Sequence, residues 1–363
     1  MLVLGMMSGT SLDGVDAAVL DTDGEAIFGF GRVGYRAYSA EEAEVLHAAL
    51  RRWPGEPGVA EAAALSVRAH AALAADFPEA DLIGYHGQTL AHDPGAGRTH
   101  QAGQGWELAR ATGRRTVWDF RTEDVRQGGE GAPLAPFFHH ALARWAVGQG
   151  RLSPEPVVFL NLGGVGNLTW CDPRNPDPLK ACVAFDTGPA NAPLNDLIRA
   201  RRGVPRDEGG ALAAQGNPRE SLILDFLRHP YFARPAPKSL DRDSFAMLAP
   251  AVAQMEDADA AATLTHTAAA AVAAGLGLLP SRPASVLVCG GGRHNAAMMR
   301  ALADRCGLPV RPVEDVGLDG DMIEAQAFAW LAARVLRGLP TSGPGTTGAP
   351  GAVCGGRISP PCR

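Results

Sequence analysis

Acidic side chains beside glycine turns are where this 363-residue chain could do chemistry. Gly5-Met6-Met7-Ser8-Gly9-Thr10-Ser11-Leu12-Asp13-Gly14-Val15-Asp16 sets three hydroxyls and two carboxylates around a short turn between apolar runs. Gly9 and Gly14 allow conformations that a side chain would forbid, so main-chain N–H groups can close on a bulky anion. Asp13 and Asp16 flank that turn, where a divalent cation bridging phosphates takes oxygen ligands. An ordinary polar hairpin turn uses the same residue types. A second glycine turn, Gly163-Gly164-Val165-Gly166-Asn167, follows an apolar run containing Asn161, and a third, Gly290-Gly291-Gly292, precedes Asn295. Asp186 leaves another apolar run at Asp186-Thr187-Gly188-Pro189, as a base at a strand end would, or as a cap for the helix that follows.

The elements that must position these residues alternate between strand and helix. Residues 1–4 and 12–20 read as strands around the turn at 5–11, and 26–35 as a third strand. Helices are expected at 40–52 and 59–75, separated by Trp53-Pro54-Gly55-Glu56-Pro57-Gly58. A strand at 81–86 ends in Gly87-Gln88-Thr89, and another covers 115–120. Residues 93–105 and 121–131 read as glycine-rich loops, and Pro133 and Pro136 introduce a helix to about 147. The second half opens as the first did, with strand 157–162, glycine turn and strand. A strand at 181–185, a helix at 191–202, helices filling 208–279, a strand at 284–289 and helices at 295–305 and 321–337 complete it. This alternation predicts an α/β protein, and the repeated opening predicts an internal duplication. The Gly/Pro/Thr-rich tail from Thr341 reads as loop or disorder.

Composition narrows the functions available. A net charge of −6 gives no electrostatic footprint for nucleic acid or an anionic membrane. The longest apolar stretch, Ala268 to Leu279, is too short to span a bilayer, and no basic-then-apolar leader opens the chain. Six scattered cysteines without Cys-x-x-Cys favour a reducing compartment, so a cytoplasmic protein is expected. Only two lysines occur, Lys180 and Lys238, and neither sits in a phosphate-binding P-loop motif. A dinucleotide fingerprint fails because Thr169 stands where the third glycine belongs, and no protein-kinase, zinc-protease or nucleophile-elbow motif is present.

Two phosphate-gripping hairpins, one per half, with a glycine loop for the nucleoside, resemble the actin-like, sugar-kinase and chaperone ATPase fold. The resemblance is closer than fold level. The 5–16 stretch looks like the opening signature of the anhydro-N-acetylmuramic acid kinases of bacterial cell-wall recycling. So do Gly84-Tyr85-His86-Gly87-Gln88-Thr89, Asn161-Leu162-Gly163-Gly164-Val165-Gly166-Asn167, Phe185-Asp186-Thr187-Gly188-Pro189, the 290–292 turn with Asn295, and Asp321-Met322-x-Glu324-Ala325 with Phe328-Ala329-Trp330-Leu331. The matches run in one order from residue 5 to 349.

The resemblance implies a duplicated, ribonuclease H-like ATPase fold with the nucleotide in a cleft between two lobes. The lobes expected are 1–135, joined by the end of the last helix at 335–349, and 136–334, with 350–363 as a disordered tail. It implies an ATP- and Mg²⁺-dependent enzyme, a homodimer without nucleic-acid or membrane partners. The substrate would be 1,6-anhydro-N-acetylmuramic acid, its ring opened by water and its O6 phosphorylated.

By resemblance, Asp186 is the catalytic base and Glu324 faces the sugar or the attacking water. Gly9, Thr10, Ser11, Leu12, Asp13, Gly14, Val15 and Asp16 grip the ATP phosphates, with Asp16 near the metal or its waters. Asn161, Gly163, Gly164, Gly166, Asn167, Gly290, Gly291, Gly292 and Asn295 complete the nucleotide site. His86, Gln88 and Thr89 hydrogen-bond the sugar, and Arg121 pairs with its carboxylate. Ala190 stands where the family more often has glycine, which requires a negative φ. The alternatives are a kinase of the same fold acting on another sugar or polyol, and a non-catalytic actin-like nucleotide switch.

Overall fold

In the computed structural model, which describes residues 1–9, 11–240 and 244–361, the chain divides into two units. One comprises Met1–Trp145 with Met322–Arg363, the other Ala146–Asp321.

The first unit is built on β1 (Leu2–Ser8), β2 (Gly14–Thr22), β3 (Ile27–Ala37), β4 (Leu82–Asp93), β5 (Arg98–Ala102) and β6 (Arg115–Trp118). The second carries β7 (Val157–Leu162), β8 (Val165–Cys171), β9 (Cys182–Pro189), β10 (Ser285–Cys289) and β11 (Val310–Pro312), and β12 (Arg357–Ser359) returns to the first. The sheet orders are β12-β6-β4-β1-β2-β3, with β5 on β4, and β11-β10-β7-β8-β9. In both, three consecutive antiparallel strands are extended by two parallel ones, β4 and β6 beside β1, β10 and β11 beside β7. Without β5 and β12 the two sheets are one topology used twice, the duplicated actin-like, ribonuclease H-like fold.

The parallel strands are apolar on both faces because helices cover both. Ser285–Cys289 is buried at every position, and Val3, Leu4 and Met6 of β1 are inaccessible. The helix Ile323–Leu336 lies against β1 and β4 at backbone distance: a Cβ on Gly5 would overlap the Ala325 carbonyl, and one on Gly84 the Phe328 carbonyl. These two glycines therefore set where the helix, and Glu324 in its first turn, can sit. In the second unit the alanine-rich helix Asp257–Leu276 plays the covering role, packing Ala268, Ala269 and Val272 against Leu168 and Phe185. Among the described residues no helix is long and apolar enough to cross a membrane.

Three expectations are corrected. The division falls at 145/146 and 321/322, not at 135/136 and 334/335. The helix Pro136–Gly148 packs back on the first unit through Phe30–Trp145 and Phe138–Trp330 ring contacts, and the 323–336 helix belongs there through Gly5 and Gly84. The 93–105 segment holds β5, which pairs with β4. The tail is not disordered where described: Arg357–Ser359 pairs antiparallel with β6, and Ser342 bridges to Val353. Pairing there covers the open edge of β6, a gain that tail composition alone does not reveal.

Candidate active site

The β1–β2 tip is held from three sides. Buried Gln88 accepts from Ser8 Oγ and donates Nε2–H to Gly9 O at 3.2 Å, while Ser8 also bonds Tyr38 Oη at 2.9 Å. Asp13 O accepts from the Tyr38 N–H at 3.0 Å and from Tyr35 Oη at 2.8 Å. Among the described tip residues Leu12, at φ +60°, lies in the left-handed region, and neither Gly9 nor Gly14 does. That conformation costs a non-glycine residue about 1 kcal/mol, and it is held because the Leu12 side chain is buried among Leu46, Val59, Leu65 and Leu90. Gly14 is needed for another reason: a Cβ there would overlap the Arg36 carbonyl of β3. Ser11 and Asp13 are exposed; Val15 is buried in the core; Asp16 is half-buried opposite Met7 and Tyr35. Thr10 lies outside the described residues.

β4 carries His86, Gln88 and Thr89. Arg121 can only donate, so its Nε–H at 3.0 Å makes His86 Nε2 an acceptor and leaves Nδ1–H to donate to Gly87 O at 2.8 Å. Burial, and then the Arg121 charge, push His86 far below the usual histidine range and keep it neutral. Arg121 Nη1 donates to Gly131 O at 2.8 Å. Burial lowers the Arg121 guanidinium to about 10, against the opposing pull of Glu324 and Asp124. Glu324 reaches solvent from the first helical turn, yet enough protein crowds it that desolvation raises its carboxyl above the ordinary range, with Arg121 opposing. A guanidinium, a neutral imidazole and a carboxyl thus form one cluster. Gln88 spends its amide on the hairpin, and Thr89 is half-buried, accepting from Gln101 Nε2 at 3.4 Å.

Residues without a signal in the sequence support this cluster. Asp124, fully buried, accepts from Gly131 N at 2.7 Å, Thr347 Oγ1 at 2.7 Å and Ser342 Oγ. It ties the residue whose carbonyl holds Arg121 to the C-terminal segment. Arg357 adds an ion pair to Asp119 at 2.9 Å, two residues before Arg121.

In the second unit the β7–β8 tip is held by main-chain donors and by two side chains, Asn191 Nδ2 donating to Leu162 O at 2.8 Å and Thr187 Oγ1 to Gly166 O at 3.1 Å. The Gly163 carbonyl accepts from Asn191 N, the Gly164 carbonyl from Ala190 N and Ala192 N, each at 3.0–3.1 Å. The 290–292 turn lies on the end of β7: a Cβ on Gly290, at φ +72°, would overlap Asn161 Oδ1, and one on Gly292 would lie 2.5 Å from Leu162 Cβ. Asn295 caps the helix Ala296–Cys306, its Oδ1 accepting from Met298 N at 2.9 Å.

Asp186 is half-buried on β9, directly opposite Asn167. Its Oδ1 accepts from Asn167 Nδ2 at 2.9 Å and its Oδ2 from Leu240 N at 2.8 Å. Its own N–H donates to Lys238 O at 2.9 Å, and its carbonyl accepts from Tyr231 Oη. Lys238 closes the wrap by donating to Tyr231 O at 2.9 Å over the Tyr231 ring, and burial lowers its ammonium to about 8. The signal available in the sequence was that Lys238 is one of two lysines. Ala190 sits at φ −121°, so its methyl is tolerated where glycine is commoner.

Residues 56–361 match the anhydro-N-acetylmuramic acid kinase family. An anhydro-N-acetylmuramic acid kinase of Cereibacter sphaeroides is 62% identical over 360 residues, covering 99% of this chain and 96% of that protein. One from Ruegeria sp. is 56% identical, covering 99% of this chain and 94% of that protein. Among solved structures, a ligand-bound xylulose kinase from Lactobacillus acidophilus superposes with TM-score 0.46 at 10% identity, covering 99% of this chain and 94% of that one. By family match and by identity along its length, the chain belongs to the anhydro-N-acetylmuramic acid kinases.

Proposed function

We propose that the protein opens the 1,6-anhydro ring of 1,6-anhydro-N-acetylmuramic acid with water and transfers the ATP γ-phosphoryl group to O6, releasing N-acetylmuramic acid 6-phosphate and ADP. The observation that carries this reading is the Asp186 carboxylate, oriented through both oxygens by Asn167 and the Leu240 N–H. Water adds to C1 as Asp186 takes its proton, and the bond from C1 to the bridging oxygen breaks on the opposite face. The freed O6 attacks the γ-phosphorus as its bond to the ADP oxygen breaks. The departing alkoxide is neutralised by phosphoryl transfer, so no separate acid is needed.

Arg121, oriented by neutral His86 and Gly131 O, pairs with the sugar's carboxylate. Glu324 accepts from the sugar or the incoming water. Gln88 acts through the hairpin, with Thr89 beside it. Main-chain donors of 9–16 and of 163–167 hold the phosphates, with Thr10 carried by sequence alone. Asn161 and the 290–292 turn, backed by Asn295, face the nucleoside. Half-buried Asp16 beside exposed Asp13 suits Mg²⁺, which takes one or two carboxylates and keeps waters and phosphate oxygens. When bound, the ion neutralises charge on the transferring phosphoryl group.

The setting proposed is a cytoplasmic homodimer in cell-wall recycling, with no nucleic-acid or membrane partner, in keeping with a net charge of −6. Turnover of the anhydro sugar with Mg·ATP, and none of plain hexoses, is expected. The reverse pattern would favour a kinase for another polyol.

A further inference from the structure

The chain passes from the second unit to the first between Asp321 and Met322, and Glu324 follows in the next helical turn. Asp321 is tied down at this crossing. Its Oδ2 lies 2.9 Å from Nη2 of Arg293, whose side chain is 3% exposed. Arg293 directly follows the Gly290-Gly291-Gly292 turn and donates Nη1–H to Gly290 O at 3.1 Å. Its Nε donates to Glu314 Oε1 at 2.8 Å, and the same oxygen accepts from Gly320 N at 3.2 Å. A Cβ on Gly320 would lie 2.6 Å from Arg293 Nε, so the backbone just before the crossing rests on the guanidinium itself.

One planar cation therefore gathers the carbonyl of the glycine turn, the Glu314 carboxylate and the residue at the crossing. A buried guanidinium is costly to leave unpaired, and its rigid fork cannot follow one partner without moving the others. A displacement of the 290–292 turn is thus passed to Asp321 and not absorbed locally.

We propose that the Arg293–Asp321 pair couples nucleotide occupancy of the 290–292 turn to the placement of Glu324, making nucleotide and anhydro sugar bind cooperatively. Arg293 and Asp321 are positioning residues in this scheme, which rests on the reading of the turn as nucleotide-binding and of Glu324 as sugar-side. Linkage makes the coupling reciprocal: each ligand tightens the other by the same factor.

The test uses the full chain and calorimetric titration of 1,6-anhydro-N-acetylmuramic acid, with and without saturating Mg²⁺ and a non-hydrolysable ATP analogue. Wild type is expected to bind the sugar at least about fivefold more tightly with the analogue, the lower end of ordinary coupling. Asp321→Asn, at an exposed side chain, is expected to bring that ratio to within about twofold of unity, with each ligand alone binding as in wild type. Glu314→Gln removes the guanidinium's other carboxylate but keeps an amide oxygen for Arg293 Nε and Gly320 N and leaves the Asp321 pair in place, so it is expected to keep the wild-type ratio. A merely structural role for Arg293 would move both variants alike. The proposal is overturned by a wild-type ratio near one, by Asp321→Asn retaining coupling, or by Glu314→Gln losing as much. Failure of the sugar to bind wild type at all would strike the functional reading first, and this proposal with it.

Discussion

The two hairpins that open the two units share a topology and are held by different means. At the β1–β2 tip the restraints are side chains: Gln88 on Ser8 and Gly9, Tyr35 on Asp13, and Leu12 buried in a left-handed conformation. At the β7–β8 tip the glycines themselves are held by main-chain donors of 190–192 on the Gly163 and Gly164 carbonyls, with Asn191 Nδ2 and Thr187 Oγ1 on the flanking Leu162 and Gly166 carbonyls. The charged groups differ in the same way. Arg121 is set by a histidine and a carbonyl anchored on buried Asp124, whereas Asp186 is wrapped by the backbone of Lys238 and Leu240 together with Asn167 and Tyr231. A duplicated scaffold repeats strand order, while each copy recruits its own local restraints. At the first tip a buried side chain on a left-handed backbone carries the restraint, so truncating Leu12 should cost more than altering the Gly163–Gly164 turn.

The largest effect is expected at Asp186. Asp186→Asn keeps shape and hydrogen bonding on one oxygen but removes the base, so kcat should fall by about 10³-fold, within the range of general-base catalysis. Thermal melting should stay near wild type; unchanged kcat would remove Asp186 from the chemistry. Arg121→Gln comes next, with KM for the sugar rising about 10- to 100-fold as a charge-assisted pair worth about 1.5–3 kcal/mol is lost. Because Arg121 lowers the Glu324 carboxyl, its removal raises Glu324 further. The acid limb of kcat/KM against pH should therefore move to higher pH, and a fixed limb would separate Glu324 from that titration.

Leu12→Ala should cost about 2 kcal/mol in chemical denaturation, since it loses buried area and leaves the left-handed strain in place. Gly164→Ala at the other tip should cost less than about 1 kcal/mol, its Cβ meeting Ala192 Cβ at 3.4 Å without a positive φ. Equal losses would erase the contrast.

One effect leaves activity aside and is read as a slope. His70 is inaccessible, bonded through Nδ1 to Ser66 O, and burial lowers it to about 4; His139, buried in the same unit, is lowered to about 3. Their folded pKa values lie below the unfolded one, so the unfolded state binds more protons. The stability they confer is full above about 6.5 and drains as pH falls toward the folded values, by about 1.4 kcal/mol per pH unit and histidine. His70→Asn should flatten the stability–pH slope between about 6.5 and 4. An unaltered slope would mean that His70 binds its proton equally well in the folded and unfolded chain.

Much of this architecture could be read along the chain, because glycine turns and apolar runs are local signals. The strands around 9–13 and 163–164, the helix Asn191–Arg202 and the strand before Gly290 fall where residue patterns put them. What escaped was non-local. Gln88 reads as a ligand for hydroxyls until Ser8, 80 residues earlier, is seen against it. Leu240 and Tyr231 reach Asp186 across 54 and 45 residues of intervening chain, with nothing in their own neighbourhood to mark them. The C-terminal strand was hidden because glycine, proline and threonine argue against order, and only the open edge of β6 supplies the reason for it.

The most direct test is a single turnover of 1,6-anhydro-N-acetylmuramic acid with Mg·ATP in ¹⁸O water, quenched before the anomeric oxygen exchanges with solvent. One ¹⁸O at C1 of the 6-phosphate and none in its phosphate is predicted, with Asp186→Asn losing ring opening and phosphoryl transfer together. Label in the phosphate, an unlabelled C1, or full turnover by Asp186→Asn would contradict a base-activated water at the anomeric carbon.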